Sequence, residues 1–263
     1  MAGKAEILRK LHQGPHILVL PNAWDVASAR IFEEAGFPAI ATSSAGVANA
    51  LGYPDIERIL REEMIEVVKR IARAVSVPVT ADMEAGYGDP VGTARAVMDA
   101  GAVGMNFEDS SIDGSLADLA SQVQLIEQIR AATDIVLNAR TDVYLFGVGD
   151  EATRFERTVE RLNAYHKAGA DSLFVPGVRD AETIGRLAKA VNGPLNILAT
   201  AGAPSIGEME RLGVRRVSLG SGPMRAAMGL TQRIAKELKG HGTFASMTDG
   251  AMSYKDANEL FMK

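Results

Sequence analysis

Eight short apolar runs recur along the chain, at residues 17–20, 39–42, 77–81, 103–107, 135–139, 172–175, 195–199 and 216–219. Each is too short for a buried helix and is bounded by turn-forming residues, so each reads as a buried strand. The segments between them have helical spacing. Over 56–75, Ile59, Leu60, Met64, Val67, Val68 and Ile71 mark one face, while Arg58, Arg61, Glu62, Glu66 and Arg70 mark the other. Several helices end in the same way, at Ala35-Gly36, Ala100-Gly101 and Ala168-Gly169, where a glycine past the last turn supplies a left-handed cap and the next strand starts at once.

Strands that alternate with helices predict parallel pairing, and eight such units in 263 residues match the size of a (β/α)8 barrel. The alternative is an open doubly wound sheet. That fold usually begins with a glycine-rich turn after its first strand, and here Pro21, Asn22, Ala23 and Trp24 follow instead. No linker divides the chain, so residues 1–263 are read as one domain with a helical extension over about 240–263. After the eighth run the chain continues through a helical segment to about Lys239, a Gly-containing turn and a last amphipathic stretch, 254–262; this tail is longer than one closing helix requires, and packing on a neighbouring subunit is expected.

Composition narrows the chemistry. Hydrophobic residues make up 47% and aromatic residues only 5%, which predicts a core of Ala, Val, Ile, Leu and Met. The net charge of -5 lacks the positive field that nucleic acid requires, so none is expected as a partner. The absence of cysteine excludes disulfides, thiolate metal sites and a cysteine nucleophile or acid/base. Met1 to Gln13 carry Lys4, Glu6, Arg9 and Lys10, unlike a secretory signal, and no apolar run is long enough to span a membrane; a cytoplasmic protein is expected.

A barrel of this kind places its active site at the carboxyl ends of the strands. There the sequence puts Thr42 to Gly46, then Asp82, Met83 and Glu84, then Glu108 and Asp109, then Arg140, Thr141 and Asp142. Strand alternation would aim Asp82 and Glu84 the same way, and like charges so placed repel unless a cation lies between them. Arg140 alone cannot neutralise Asp82, Glu84 and Glu108. A divalent metal would, and all-oxygen donors favour Mg2+ or Mn2+ over zinc. The other reading makes these acids rim residues that cap loops or pair with surface cations. Ser44, Ala45 and Gly46 could turn amides towards an anion or merely form a turn. Asp25 is a natural helix cap, and His12, His16, His166 and His241 lie away from the strand ends.

Asn22-Ala23-Trp24-Asp25, the stretch from Ala35 to Asp55, Thr80 to Gly88, Phe107-Glu108-Asp109 and Asn138 to Asp142 together resemble the isocitrate lyase and phosphoenolpyruvate mutase superfamily. The resemblance implies a (β/α)8 barrel whose final helix is exchanged between subunits of a homodimer or homotetramer. It also implies a small 2-oxo or 2-hydroxy acid substrate, handled through an enolate with the help of Mg2+. By position, Asp82 matches the direct metal ligand, and Glu84 and Glu108 match acids that reach the metal through its waters. Asp55 matches an acid of the same catalytic network. Ser44, Ala45 and Gly46 match the loop that grips the substrate carboxylate, and Arg140 matches the arginine that steadies the enolate oxygen.

The departures are equally specific. The resemblance implies a Lys-Cys-Gly-His type gating loop after the fourth strand of a lyase, but here Ser110 to Ser115 lead straight to the next helix, so the lid is shortened and has no thiol. Strand six ends in Val175-Pro176-Gly177 without a His or Glu, and strand seven in Leu198-Ala199-Thr200 without a Glu. The expected activity is therefore that of a Mg2+-dependent carbon-carbon lyase on an oxaloacetate-like 2-oxo or 2-hydroxy dicarboxylate, with decarboxylation as the simplest case. The alternatives are a phosphorus-carbon mutase or hydrolase acting on a phosphonopyruvate-like substrate, and a degenerate binder of 2-oxo acids.

Overall fold

The computed structural model describes residues 2–111 and 113–262; Ile112, in the short loop after the fourth predicted strand, lies outside them. Among the described residues, the strands are β1 (Leu18–Leu20), β2 (Asn22–Ala23), β3 (Ile40–Thr42), β4 (Val79–Asp82), β5 (Gly104–Glu108), β6 (Val136–Arg140), β7 (Ser172–Val175), β8 (Leu195–Leu198) and β9 (Arg216–Ser218). They pair in parallel in the order β1-β9-β8-β7-β6-β5-β4-β3-β2. The order begins and ends on the two halves of one strand, so the sheet closes into the expected barrel. All eight predicted runs are strands, and the first is split at Pro21, which has no N–H for the ladder.

At that split the side chain of Asn22 replaces backbone pairing. Its Oδ1 accepts the N–H groups of Leu219 (2.8 Å) and Gly220 (2.9 Å), while its Nδ2 donates to the carbonyl of Thr42 (2.7 Å). One buried amide thus ties the last strand to β3 across the seam.

Helices follow the strands as the pattern predicts, and Gly36, Gly101 and Gly169 adopt positive φ at the predicted caps. Asp25 caps the helix Val26–Glu34 in a reciprocal capping box with Ser28. The helix expected from residue 56 starts only at Arg61 and runs to Ala74. Ile56 and Glu57 have φ of +72° and +47°, and the N–H of Glu57 donates to Glu84 (2.7 Å). Tertiary bonding therefore takes 56–60 out of the helix and lays it over the barrel mouth.

The apolar core forms as predicted between the sheet and its outer helices. Inside the barrel the apolar filling is confined to the bottom layer. The bottom is plugged by Ala5 and Leu8 of the helix Ala2–Gln13 against Leu18, Leu20, Ala41 and Val136. Above this plug lie Asn106, Asn138, Ser172, Asn196, Arg216 and Ser218, all buried. They are tolerated because they satisfy one another. Asn106 Oδ1 accepts from Asn138 (2.7 Å) and Arg216 (3.3 Å), and Asn196 Nδ2 donates to Ser218 (3.0 Å).

Arg216 is 1% exposed. Burial pulls its guanidinium down to about 9, opposed by the charge of Asp82, so it remains cationic at neutral pH. Below it, His12 Nδ1 lies 2.8 Å from the carbonyl of Leu8 and Nε2 lies 3.5 Å from Arg216 Nη1. That geometry makes Nδ1 the donor and Nε2 the acceptor, which is the neutral ring. Burial, reinforced by the Arg216 charge, pushes His12 down to about 4.

The helix Gly222–His241 buries only Met224; its Met228 and Leu238 are exposed, as are Phe244, Met247 and Tyr254 beyond it. Leu260, by contrast, is buried beside Glu33, Arg73 and Val75 of the same chain. No helix among the described residues is long and apolar enough to cross a membrane.

The His12 geometry predicts a pH dependence of stability. Between about 6.5 and about 4 the unfolded imidazole binds a proton that the native ring refuses, so His12 lowers stability as pH falls through that window and contributes nothing above it. Urea unfolding across this range should show a loss attributable to His12 on the order of a few kcal/mol by pH 4. The loss should disappear in His12→Gln; an identical profile in wild type and variant would refute the assignment.

Candidate active site

Three neighbouring strands end in charge: β4 at Asp82, β5 at Glu108 and β6 at Arg140. The register sets Glu108 directly opposite Arg140, and their side chains pair at 2.6 Å. Arg140 Nε also meets Asp142 at 2.6 Å, and the guanidinium lies 5.7 Å over the ring of Phe174. Burial works against its charge, but Glu108, Asp142 and Asp82 more than offset that and hold it above the usual arginine range.

Asp82 Oδ2 accepts from both the N–H (3.1 Å) and the hydroxyl (2.8 Å) of Ser44, and Asn106 Nδ2 lies 3.4 Å from Oδ1. Glu84 reaches the same mouth by another route than strand alternation. It stands past the end of β4 with φ of +50°, and Met83 between the two acids is fully buried. Its carboxylate accepts from the N–H of Glu57 (2.7 Å) and the hydroxyl of Tyr87 (3.2 Å). Burial, then the charges of Asp55 and Asp82, push it up to about 8. Glu108 is raised well above the carboxylate range, chiefly by burial and against the pull of Arg140.

A cavity of about 730 Å³ opens at this mouth, lined by Ser44, Asp55, Glu84, Glu108 and Arg140 together with Ile56, Leu145 and Phe146. Five of the residues singled out in the sequence thus share one cavity. Asp82 is not in the lining and stands behind Ser44. Ala45 and Gly46 lie in the first turn of the helix Ser44–Ala50, and the Gly46 N–H is used by the Ser43 cap (3.1 Å).

Sequence reasoning missed the supports beneath these residues. Asp109 is buried; its Oδ1 accepts the N–H of Asp142 (3.0 Å), and its Oδ2 accepts from Arg161 Nε (2.7 Å) and the Tyr165 hydroxyl (2.7 Å). The hydroxyl of Ser110 lies 2.6 Å from Asp142 and 3.1 Å from Glu108. This pillar fixes the two acids that clamp Arg140. The available signal was Arg161 and Tyr165, four apart on the inward face of the helix Glu151–Lys167. For Asn106 and Asn138 it was strand parity, since each stands two residues before a site residue and so shares its face.

The donor chemistry suits a hard divalent cation. Asp55, Asp82, Glu84 and Glu108 are all-oxygen donors around one guanidinium, and their mutual repulsion marks a deficit of positive charge. Among the described residues no group of three His, Cys, Asp or Glu side chains is arranged to hold a metal ion, so a cation here would take one or two carboxylates directly and keep water for the rest.

The model of the phosphoenolpyruvate phosphomutase family matches residues 8–239. The chain belongs to that family. An oxaloacetate decarboxylase of Rhodopseudomonas palustris (strain BisB18) is 31% identical over 250 residues, covering 90% of this chain and 84% of the relative. A crystal structure from Burkholderia cenocepacia J2315, whose own assignment as a lyase or mutase is provisional, is 37% identical with a TM-score of 0.92, covering 100% of this chain and 96% of that one. A phosphonopyruvate hydrolase solved with oxalate and Mg2+ is 25% identical with a TM-score of 0.86, covering 98% and 94%. Relatives in the phosphoenolpyruvate phosphomutase family thus include enzymes acting on carbon-carbon and on carbon-phosphorus bonds, and this chain is an enzyme of that group.

The pillar gives a stability test within this family member. Asp109→Asn strips the buried Arg161 of its counter-charge and should cost roughly 3–5 kcal/mol in urea unfolding. Tyr165→Phe removes one neutral donor and should cost about 1 kcal/mol. Equal costs would mean that the ion pair carries no special weight.

Proposed function

We propose that the protein is a Mg2+-dependent carbon-carbon bond lyase that decarboxylates an oxaloacetate-like 2-oxo acid. The observation that carries this reading is the arrangement of Arg140. Its charge is locked between Glu108 and Asp142 at the edge of a cavity otherwise walled by acids, so a negative oxygen that forms during reaction has one prepared cationic partner in the chain. Asp82, with Glu84 and Glu108 behind water, would hold Mg2+, which when bound supplies charge stabilisation to the substrate 2-oxygen. Ser44 lines the cavity with its two donors on Asp82, and would turn its hydroxyl from Asp82 to a substrate carboxylate once a cation neutralises that acid; Ala45 and Gly46 form the adjoining turn, and Asp55 closes the acidic rim.

Loss of CO2 needs no acid/base to begin. Two of the five guanidinium donors of Arg140 are engaged by Glu108 and Asp142, and the rest of the fork is available to the enolate oxygen. The short loop after Asp109 offers hydroxyls and a carboxylate (Ser110, Ser111 and Asp113 line the cavity) but no thiol. That weighs against cleavage of isocitrate-like substrates. A carbon-phosphorus activity is the second reading, supported by the likeness to the phosphonopyruvate hydrolase. We read the exposed apolar residues Met228, Leu238 and Phe244 as a homo-oligomer surface.

A substrate panel with Mg2+ tests the reading. Oxaloacetate should be decarboxylated, whereas isocitrate and 2-methylisocitrate should be cleaved roughly 100- to 10,000-fold more slowly than by an enzyme with a general acid/base in place. Turnover of phosphonopyruvate alone would favour the second reading. Two variants test the roles. Asp82→Ala should abolish the rise in melting temperature on adding Mg2+ while leaving the metal-free melting temperature nearly unchanged. Arg140→Lys should lower kcat far more than it weakens oxalate binding, because lysine keeps the charge and loses the fork; near-normal turnover would remove Arg140 from the transition state.

A further inference from the structure

A charged far end that is retained through the reaction is held best by a second cation in the wall. Among the described residues that line the cavity, Arg140 is the sole cation, and it is already paired with two acids. The wall continues instead with Ile56, Leu145 and Phe146, which are 43%, 42% and 47% exposed. Three large apolar side chains left open in one cavity form a surface that an apolar group would bury.

The fold holds that surface in place. Leu145 and Phe146 lie in the loop after β6, and this loop rests on Gly177, after β7. A Cβ on Gly177 would stand 2.8 Å from the backbone nitrogen of Leu145, and its φ of +91° is open to few other residues. The Phe146 ring in turn lies 3.8 Å from where a Cβ on Gly114 would stand. The bare Val175-Pro176-Gly177 end of β7 therefore has a positive role: it gives up a polar side chain and seats the backbone of an apolar wall. The cavity, at about 730 Å³, has room for such a group beside the acids.

We infer that the acid processed here carries an uncharged apolar substituent, alkyl or aryl, on C3, and that this group lies against Ile56, Leu145 and Phe146. The inference rests on the proposed 2-oxo acid chemistry at this site. For a C3-alkylated oxaloacetate, the C3–C4 bond breaks and its electron pair enters the C2–C3 enolate. C4 leaves as CO2, and a proton from water on C3 completes the chain-extended 2-oxo acid. The wall offers the departing carboxylate no second cation, so nothing in it opposes that loss, while the apolar group stays buried throughout.

Calorimetry with Mg2+ present reads this without turnover. Pyruvate, 2-oxobutanoate and 2-oxopentanoate should bind with affinity rising about fourfold for each methylene. 2-Oxopentanoate should outbind 2-oxoglutarate, which has the same chain length but ends in a carboxylate, by tenfold or more. Phe146→Arg, at a half-exposed position, should reverse that last order, with thermal unfolding confirming that the variant folds. Tighter binding of 2-oxoglutarate by the wild-type protein, or a flat series, overturns the inference while oxalate binding leaves the site reading intact. If neither oxalate nor any 2-oxo acid binds, both fall together.

Discussion

Too much negative charge in too small a space is the condition that organises this protein. Asp55, Asp82, Glu84 and Glu108 gather at one barrel mouth, where burial first, and then the charges of their neighbours, disfavour the ionisation of Glu84 and Glu108. Arg140 answers part of that repulsion from the rim. Arg216 answers another part from below, where among the described residues it forms no ion pair with a carboxylate and Asn106 links it to Asp82. A buried guanidinium of this kind would be costly anywhere else in the core. Beneath four acids it is a counterweight, and the polar barrel interior exists to solvate it.

The same condition explains why the supports lie so deep. Asp142 can hold Arg140 only if its own backbone is fixed, and that task falls to Asp109, itself held by Arg161 and Tyr165 on an outer helix. The orientation of one site residue therefore depends on contacts that run from the mouth through two loops to the outer layer. Such a chain resists small rotations because each link is buried and has a single satisfied arrangement. Pre-set geometry of this sort is what allows a fixed charge to act without reorganising during reaction.

What could be read from the sequence follows from range. Strand positions, the Gly36, Gly101 and Gly169 caps and the Asp25 capping box depend on neighbours a few residues away, and they emerge as the pattern predicts. Glu108 and Arg140 were visible because strand ends in a barrel converge. The start of the helix at Arg61 was not, since a bond from Glu57 to Glu84 overrides a sound helical periodicity. Glu84 was found for a wrong reason: alternation presumed extended backbone where the chain turns left-handed. The polar lumen was hidden because Asn106, Asn138 and Arg216 sit in runs whose apolar neighbours dominate. Composition reports what a chain buries, not which layer receives it.

The seam at Pro21 has a bearing on how the molecule comes to exist. Asn22 joins β3 to the residues following β9, which lie almost at opposite ends of the barrel's sequence. Every other strand pairing links neighbours in the chain, so the sheet can lengthen stepwise, but this one closes a loop that spans nearly all of the barrel. During synthesis, the growing sheet keeps two unpaired edges until the ninth strand leaves the ribosome. Until then Arg216 has not arrived, and the acids of the mouth face one another without their counterweight. The ring and the charge balance at its centre are completed in the same event.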